Sequence, residues 1–160
     1  MPDLPVHTAL LKFPDNFAEL DLEQQGRVII HAMQQACAEA KLDLDIVLGS
    51  YEGSGDSFNG CEWVFYSETL GTGQAEYGKQ VTNIEIEFGA NAYDILAGFI
   101  NEWVSHHYGG WENNDGGFGH VLFHLKGEPH IFMDYHERYT AERHMGDHEL
   151  WETTPKEDKQ

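Results

Sequence analysis

The sequence predicts an α+β fold: a two-layer sandwich in which an antiparallel-rich five-stranded sheet carries two helices on one face. Three observations lead there. Two long segments repeat apolar residues at the three-four spacing of a helix; several shorter segments alternate apolar and polar residues as strands do; and the order along the chain reads α-β-β-β-α-β-β. At 160 residues the chain is long enough for one domain with a real core. The expected division is an irregular N-terminal arm over 1–20, a single α+β domain over 21–139 and a charged C-terminal tail over 140–160.

Pro2, Pro5 and Pro14 punctuate the arm. Asp21 then has the character of a helix N-cap, with Gln24 three residues on as its capping-box partner. The helix should run to about Ala40, with Leu22, Ile29, Met33, Ala36, Cys37 and Ala40 on one side. Gly26 weakens its first turns. "LDLDIVLGSY" alternates Leu44, Ile46 and Leu48 as a strand, and "CEWVFYS" is a second, aromatic one. "ETLGTGQAEYGK" is polar and Gly-rich, hence a loop. "TNIEIEF" is a strand with Ile84, Ile86 and Phe88 toward a core and Glu85 and Glu87 toward water. The second helix should be capped by Asn91, with Asp94 in its first turn, and should stop at Gly109 and Gly110. "FGHVLFHL" and "HIFMDYHE" then make a hairpin through "KGE". Pairing Phe123 with Ile131 and Val121 with Met133 puts the apolar faces together. His124 then opposes His130, and His120 opposes Asp134, on the other face. Leu150 and Trp151 in the tail could dock back onto the domain.

Against 28 acids stand 9 Lys and Arg, a formal charge of −19. Such a field repels nucleic-acid phosphates and anionic membranes and attracts divalent cations or a basic protein surface. Direct nucleic-acid binding and membrane association are therefore not expected. The two cysteines are too few for a disulfide framework or a thiolate zinc site, which fits a reduced, cytoplasmic compartment. The N-terminus has neither a basic region nor a long apolar stretch, so a secretory signal and a membrane span are not expected.

The candidate site lies in two similar stretches, "YEGSGDSFNG" and "WENNDGGFG". Each opens with an aromatic residue and a Glu and passes through small polar residues to an Asp and a Phe. The candidate binding residues are Tyr51, Glu52, Ser54, Asp56 and Ser57 in the first and Trp111, Glu112, Asn113, Asn114 and Asp115 in the second. Glycines let such loops approach a ligand, and Glu52, Asp56, Glu112 and Asp115 offer hard oxygen donors for Ca²⁺, Mg²⁺ or Mn²⁺ if the loops meet. Turn chemistry is the competing explanation, because Gly, Asn, Asp and Ser also serve turns for backbone reasons alone. Familiar templates do not fit. The acids lack EF-hand spacing, "GSGDSF" lacks the third Gly of a dinucleotide fingerprint, "HMGDH" lacks the zincin Glu, and no G-x-S-x-G joins a strand to a helix.

A second constellation is the histidine-rich hairpin face. His120, His124, His130 and Asp134, with His136 beside them, could hold a transition metal or orient a general base; a solvated histidine face is the plainer reading. His106 and His107 suit the negative end of a helix dipole.

The paired motifs, a strand ending Y-x-G-S-G-D-S and a helix followed by G-G-W-E-N-N-D-G, resemble those of a family of small uncharacterised bacterial proteins, often found on plasmids and prophages. The likeness covers about residues 45–136, and Phe58 stands where that family usually has Gly. The resemblance implies no established activity. It implies a mobile-element setting, and with it an acidic protein that blocks a host defence factor. Two functions follow. One is an acidic interaction protein that occupies a basic groove as an inhibitor or nucleic-acid mimic, with Glu62, Glu85 and Glu87 as outward charges and Trp111 as anchor. The alternative is a divalent-metal-dependent hydrolase or cation-binding protein built on the two acidic loops. Whether the chain is an enzyme stays open at this point.

Overall fold

A computed structural model describes residues 4–54, 57–109, 116–137 and 143–151, without the side chains of Ser54, Ser57 and Arg143. The elements run β1 (Val6–Thr8), a 3-10 turn (Phe17–Glu19), α1 (Leu22–Ala40), β2 (Ile46–Ser54), β3 (Ser57–Tyr66), β4 (Gly73–Ala75), β5 (Gly78–Gln80), β6 (Glu85–Glu87), α2 (Ala90–His107), β7 (Gly117–His124), β8 (His130–Glu137) and β9 (Arg143–Glu149). The class is α+β with two helices, as the sequence predicts. The sheet differs: it has seven strands, ordered β4-β5-β3-β2-β7-β8-β9, and β1 and β6 form a separate parallel pair. Every pairing in the seven-stranded sheet is antiparallel.

The two extra strands at one edge lie in the Gly-rich stretch expected as a loop, where β4 and β5 form a three-residue hairpin. The extra strand at the other edge, β9, comes from the stretch expected as tail. Conversely, "TNIEIEF" keeps its alternation, with Ile86 buried between exposed Glu85 and Glu87, but pairs only with the N-terminal arm. Three-residue strands carry too little periodicity to stand out in sequence; their backbone partners decide them.

Asp21 caps α1 in a full capping box: its carboxylate accepts from the Gln24 amide at 2.8 Å, and Gln24 Oε1 accepts from the Asp21 amide at 3.1 Å. The helix ends at Ala40 on Lys41 in the left-handed conformation. The expected start of α2 is corrected. Gly89, not Asn91, is its N-cap, and its first turn holds no acid, so Asp94 lies deeper in the helix.

Both helices pack on one face of the sheet. Ile29, Met33, Leu96, Phe99, Trp103 and Val104 meet Val47, Tyr51, Val121, Phe123, Ile131 and Met133 in one buried core. Glycines on β2 and β7 let aromatic rings lie across this inner face. A Cβ on Gly49 would meet the Trp63 ring at 2.7 Å, one on Gly117 the Tyr135 ring at 2.5 Å, and one on Gly119 the Tyr51 hydroxyl at 2.6 Å. Glycine's lack of a side chain is thus filled by the neighbouring strand's aromatic. Leu150 and Trp151 do return to the domain: Leu150 lies against Gly26 of α1, and Arg27 stands 4.1 Å over the Trp151 ring.

Among the described residues, no helix lies on the opposite face of the sheet. Its centre is a smaller apolar cluster of Leu48, Tyr66 and Leu122, with Ile46, Val64, Tyr77 and Phe132 against it. Side chains that alternate with the inner ones along β2, β3, β7 and β8 carry this face.

Candidate functional site

Tyr51 ends the expected strand, and Glu52, expected in the loop beyond it, belongs to the same strand. β2 runs on to Ser54 and turns directly into β3, so the first acidic stretch is the far end of a hairpin with an irregularity between Glu52 and Gly53. The two residues face opposite ways. Tyr51 is buried among the core residues, whereas Glu52 is exposed. Ser54 and Ser57 pair across the hairpin end. Asp56, Trp111, Glu112, Asn113, Asn114 and Asp115 lie outside the described residues.

The register of three strands assembles a site that spacing alone does not show. Ser50 of β2 stands opposite Glu62 of β3 on one side and His120 of β7 on the other. His120 in turn meets Asp134 of β8. Its amide N–H donates to Asp134 Oδ1 at 2.8 Å, and its Nδ1 lies 3.4 Å from Oδ2. His136 Nε2 is 3.9 Å from the same oxygen, so one carboxylate sits between two imidazoles. Ser50, Glu52, Asn59, Glu62, Phe118 and His120 face a cavity of about 310 Å³ at the hairpin end of the outer face.

Asp134 is held from behind. The Tyr51 hydroxyl reaches across Gly119 and donates to the Asp134 backbone carbonyl at 2.5 Å. Only glycine fits between them, since a Cβ on Gly119 would lie 2.2 Å from that carbonyl oxygen. Burial pushes the Tyr51 phenol well above its ordinary range, so it remains a donor at every working pH.

The electrostatics of the pair follow from this geometry. The hydrogen bond to Asp134 outweighs partial burial and raises His120 above the ordinary imidazole value. Burial alone would raise Asp134, yet the His120 side chain, the His120 amide and the nearby imidazole charges bring its carboxyl below the usual value.

The predicted set His120, His124, His130 and Asp134 does share the outer face, but it divides into two pairs. The His124 and His130 rings stack at 4.3 Å, and the Leu122–Phe132 row separates them from His120 and Asp134. Burial and the neighbouring His130 push His124 down to about 4. Among the described residues, no three His, Cys, Asp or Glu side chains converge in a way that could hold a metal ion. His106 and His107 lie in the last turn of α2, the helix end expected for them, and His107 has a further contact. It stacks on His148 of β9 at 3.9 Å, and burial with that neighbour lowers its basicity.

Sequence reasoning passed over Ser50 and Asn59, and named Glu62 only as an outward charge and not as part of this cavity wall. The available signal was the inward-outward alternation of β2: with Tyr51 buried, Ser50 and Glu52 must share the outer face. No helix of the described residues is long and apolar enough to cross a membrane.

A model of a family of unknown function, DUF6878, matches residues 67–150. Comparison with curated proteins and with solved structures gives no match.

Proposed function

The chain belongs to the DUF6878 family of unknown function, and we propose that it is an acidic interaction protein whose helix-free sheet face binds a basic partner surface. One observation carries this reading. The four central strands β2, β3, β7 and β8 contain no Lys or Arg, yet they place Glu52, Glu62 and Asp134 on the outer face beside an apolar strip. A cationic side chain entering the cavity would meet carboxylates on strands that carry no Lys or Arg. Ile46, Val64 and Phe132, half-buried over Leu48 and Leu122, offer the apolar contact that gives an interface its energy, while the charged rim gives specificity and on-rate. The net charge of −19 argues against a nucleic-acid partner on the same grounds and favours a partner that itself binds phosphates. In the finer form of the proposal the protein acts as an inhibitor or nucleic-acid mimic against a host defence factor, with carboxylates standing where phosphates would.

The test uses a fluorescent Lys/Arg-rich peptide and anisotropy over a salt series. Binding should weaken steeply toward about 0.5 M salt, where screening shortens to a few ångströms. Glu52→Gln with Glu62→Gln should weaken it at least tenfold, and Glu19→Gln with Glu39→Gln, of equal charge change, should weaken it far less. Equal losses in the two double variants would refute a site on the outer face.

A further inference from the structure

We propose that Ser50, His120 and Asp134 form a nucleophile–base–orienter row that transfers or hydrolyses acyl groups, and that the substrate is an ester or thioester whose acyl part carries a positive charge. This goes beyond docking of a partner and does not require one.

The three residues lie side by side on adjacent strands of one face. Ser50 and His120 are cross-strand partners, and such pairs hold their Cβ atoms about 4.5–5.5 Å apart. The His120–Asp134 contact completes the order that serine nucleophiles use, a base oriented by a third group. Asp134 accepts only, so Nδ1 carries the proton toward it and Nε2 is left as the base. Ser50 and His120 both line the cavity, while Asp134 sits behind them at 17% exposure. Among the described residues no hydrogen bond holds the Ser50 hydroxyl. Asn59 stands in the same wall and carries the amide donor that an oxyanion needs. Glu52 and Glu62 set the sign of the substrate. The bracing of Asp134 by Tyr51 through Gly119 is the support that a preorganised site requires and that a solvated histidine face does not.

The chemistry balances without a cofactor. Ser50 Oγ attacks the acyl carbon as His120 Nε2 takes its proton. The Oγ–C bond forms, the bond to the leaving group breaks, and His120 passes the proton to that group. Water then attacks the acyl-serine and gives a proton to Nε2. The Oγ–C bond breaks, and Oγ recovers a proton from His120.

The experiment treats the full chain with a fluorophosphonate and with two 4-nitrophenyl esters, one neutral and one with a trimethylammonium acyl part. Intact mass and peptide mapping should find one adduct, on Ser50. Ser50→Ala should lose it, and His120→Gln should slow it at least 10²-fold, the usual contribution of a general base. The cationic ester should react faster than the neutral one. Labelling should rise with pH as His120 loses its proton, and Asp134→Asn should move that rise to lower pH, an effect that a merely structural Asp134 would not produce. Melting by circular dichroism shows that each variant is folded; Ser50→Ala should melt as wild type. No adduct, an adduct on another residue, or equal labelling of folded Ser50→Ala overturns the proposal. The esters involve no protein partner, so failure here and failure of the docking reading are separate results.

Discussion

Gly119→Ala tests the bracing of the site. The added methyl would stand 2.2 Å from the Asp134 carbonyl oxygen, 2.6 Å from the Tyr51 hydroxyl and 2.8 Å from the ring carbon that bears it. Two of these contacts involve a buried ring and one involves backbone, so no flexible chain end can give way. Overpacking a close-packed site costs about 1–3 kcal/mol. Losing the Tyr51–Asp134 hydrogen bond adds about 1 kcal/mol. The sum, about 2–4 kcal/mol, is a large share of the roughly 5–15 kcal/mol that holds a domain together. It corresponds to a melting point lower by roughly 10 °C for a chain of this size. Urea unfolding followed by tryptophan fluorescence measures it. A cycle with Tyr51→Phe separates the parts. The Phe variant has already lost the hydrogen bond, so the two changes together should cost about 1 kcal/mol less than their sum. Nuclear magnetic resonance titration of His120 adds a functional readout, because displacing Asp134 should bring the imidazole back down toward its ordinary value. A Gly119→Ala protein within about 1 kcal/mol of wild type, with His120 unmoved, would refute the bracing argument.

Two further outcomes are expected. His124, at about 4 when folded against an ordinary 6.5, should make stability fall with pH between those values: the unfolded chain takes up a proton that the folded one refuses. His124→Gln should flatten that part of a melting-against-pH curve without abolishing it, since His107 and His148 are lowered in the same direction; an unchanged slope would contradict the burial argument. Gly26→Ala should leave stability nearly unchanged but loosen the chain's end. The helix gains about 1 kcal/mol from alanine, while a Cβ at 2.2 Å from Leu150 Cδ2 and 3.3 Å from Trp151 pushes both away. Greater solvent exposure of Trp151 in fluorescence quenching, measured with Trp151 as the sole tryptophan, checks this; unaltered quenching would count against it.

The parts legible in sequence are those with their own periodicity or a local partner. The α1 cap is legible because both halves of the capping box lie within four residues, Asp21 to Gln24. The β7–β8 hairpin is legible because its register must match two apolar faces across a short turn, and Phe123 does oppose Ile131 and Val121 does oppose Met133. Strands β1, β4, β5 and β9 do not stand out in sequence because their short or polar stretches are decided by backbone partners: β6 for β1, each other for β4 and β5, and β8 for β9. The start of α2 was misplaced because Asn91 has the chemistry of a cap, yet the backbone leaves the extended conformation at Gly89, with φ of 103°.

The candidate site was half legible for a related reason. Tyr51, Glu52, His120 and Asp134 stand out by type, but their roles depend on which strand lies beside which. Because β7 enters between β2 and β8, His120 gains Ser50 on one flank and Asp134 on the other, from partners 70 and 14 positions away. Glycines of the strands have a cause of their own once that order is known. Gly49, Gly117 and Gly119 lie within strands and clear the inner face for Trp63, Tyr135 and Tyr51. The rings pack the core on one side and, through the Tyr51 hydroxyl, hold the backbone carbonyl of Asp134, whose carboxylate meets His120 on the other. A side chain at Gly119 would therefore disturb both faces at once, which is why core packing and the chemistry of the outer face cannot be varied independently at that position.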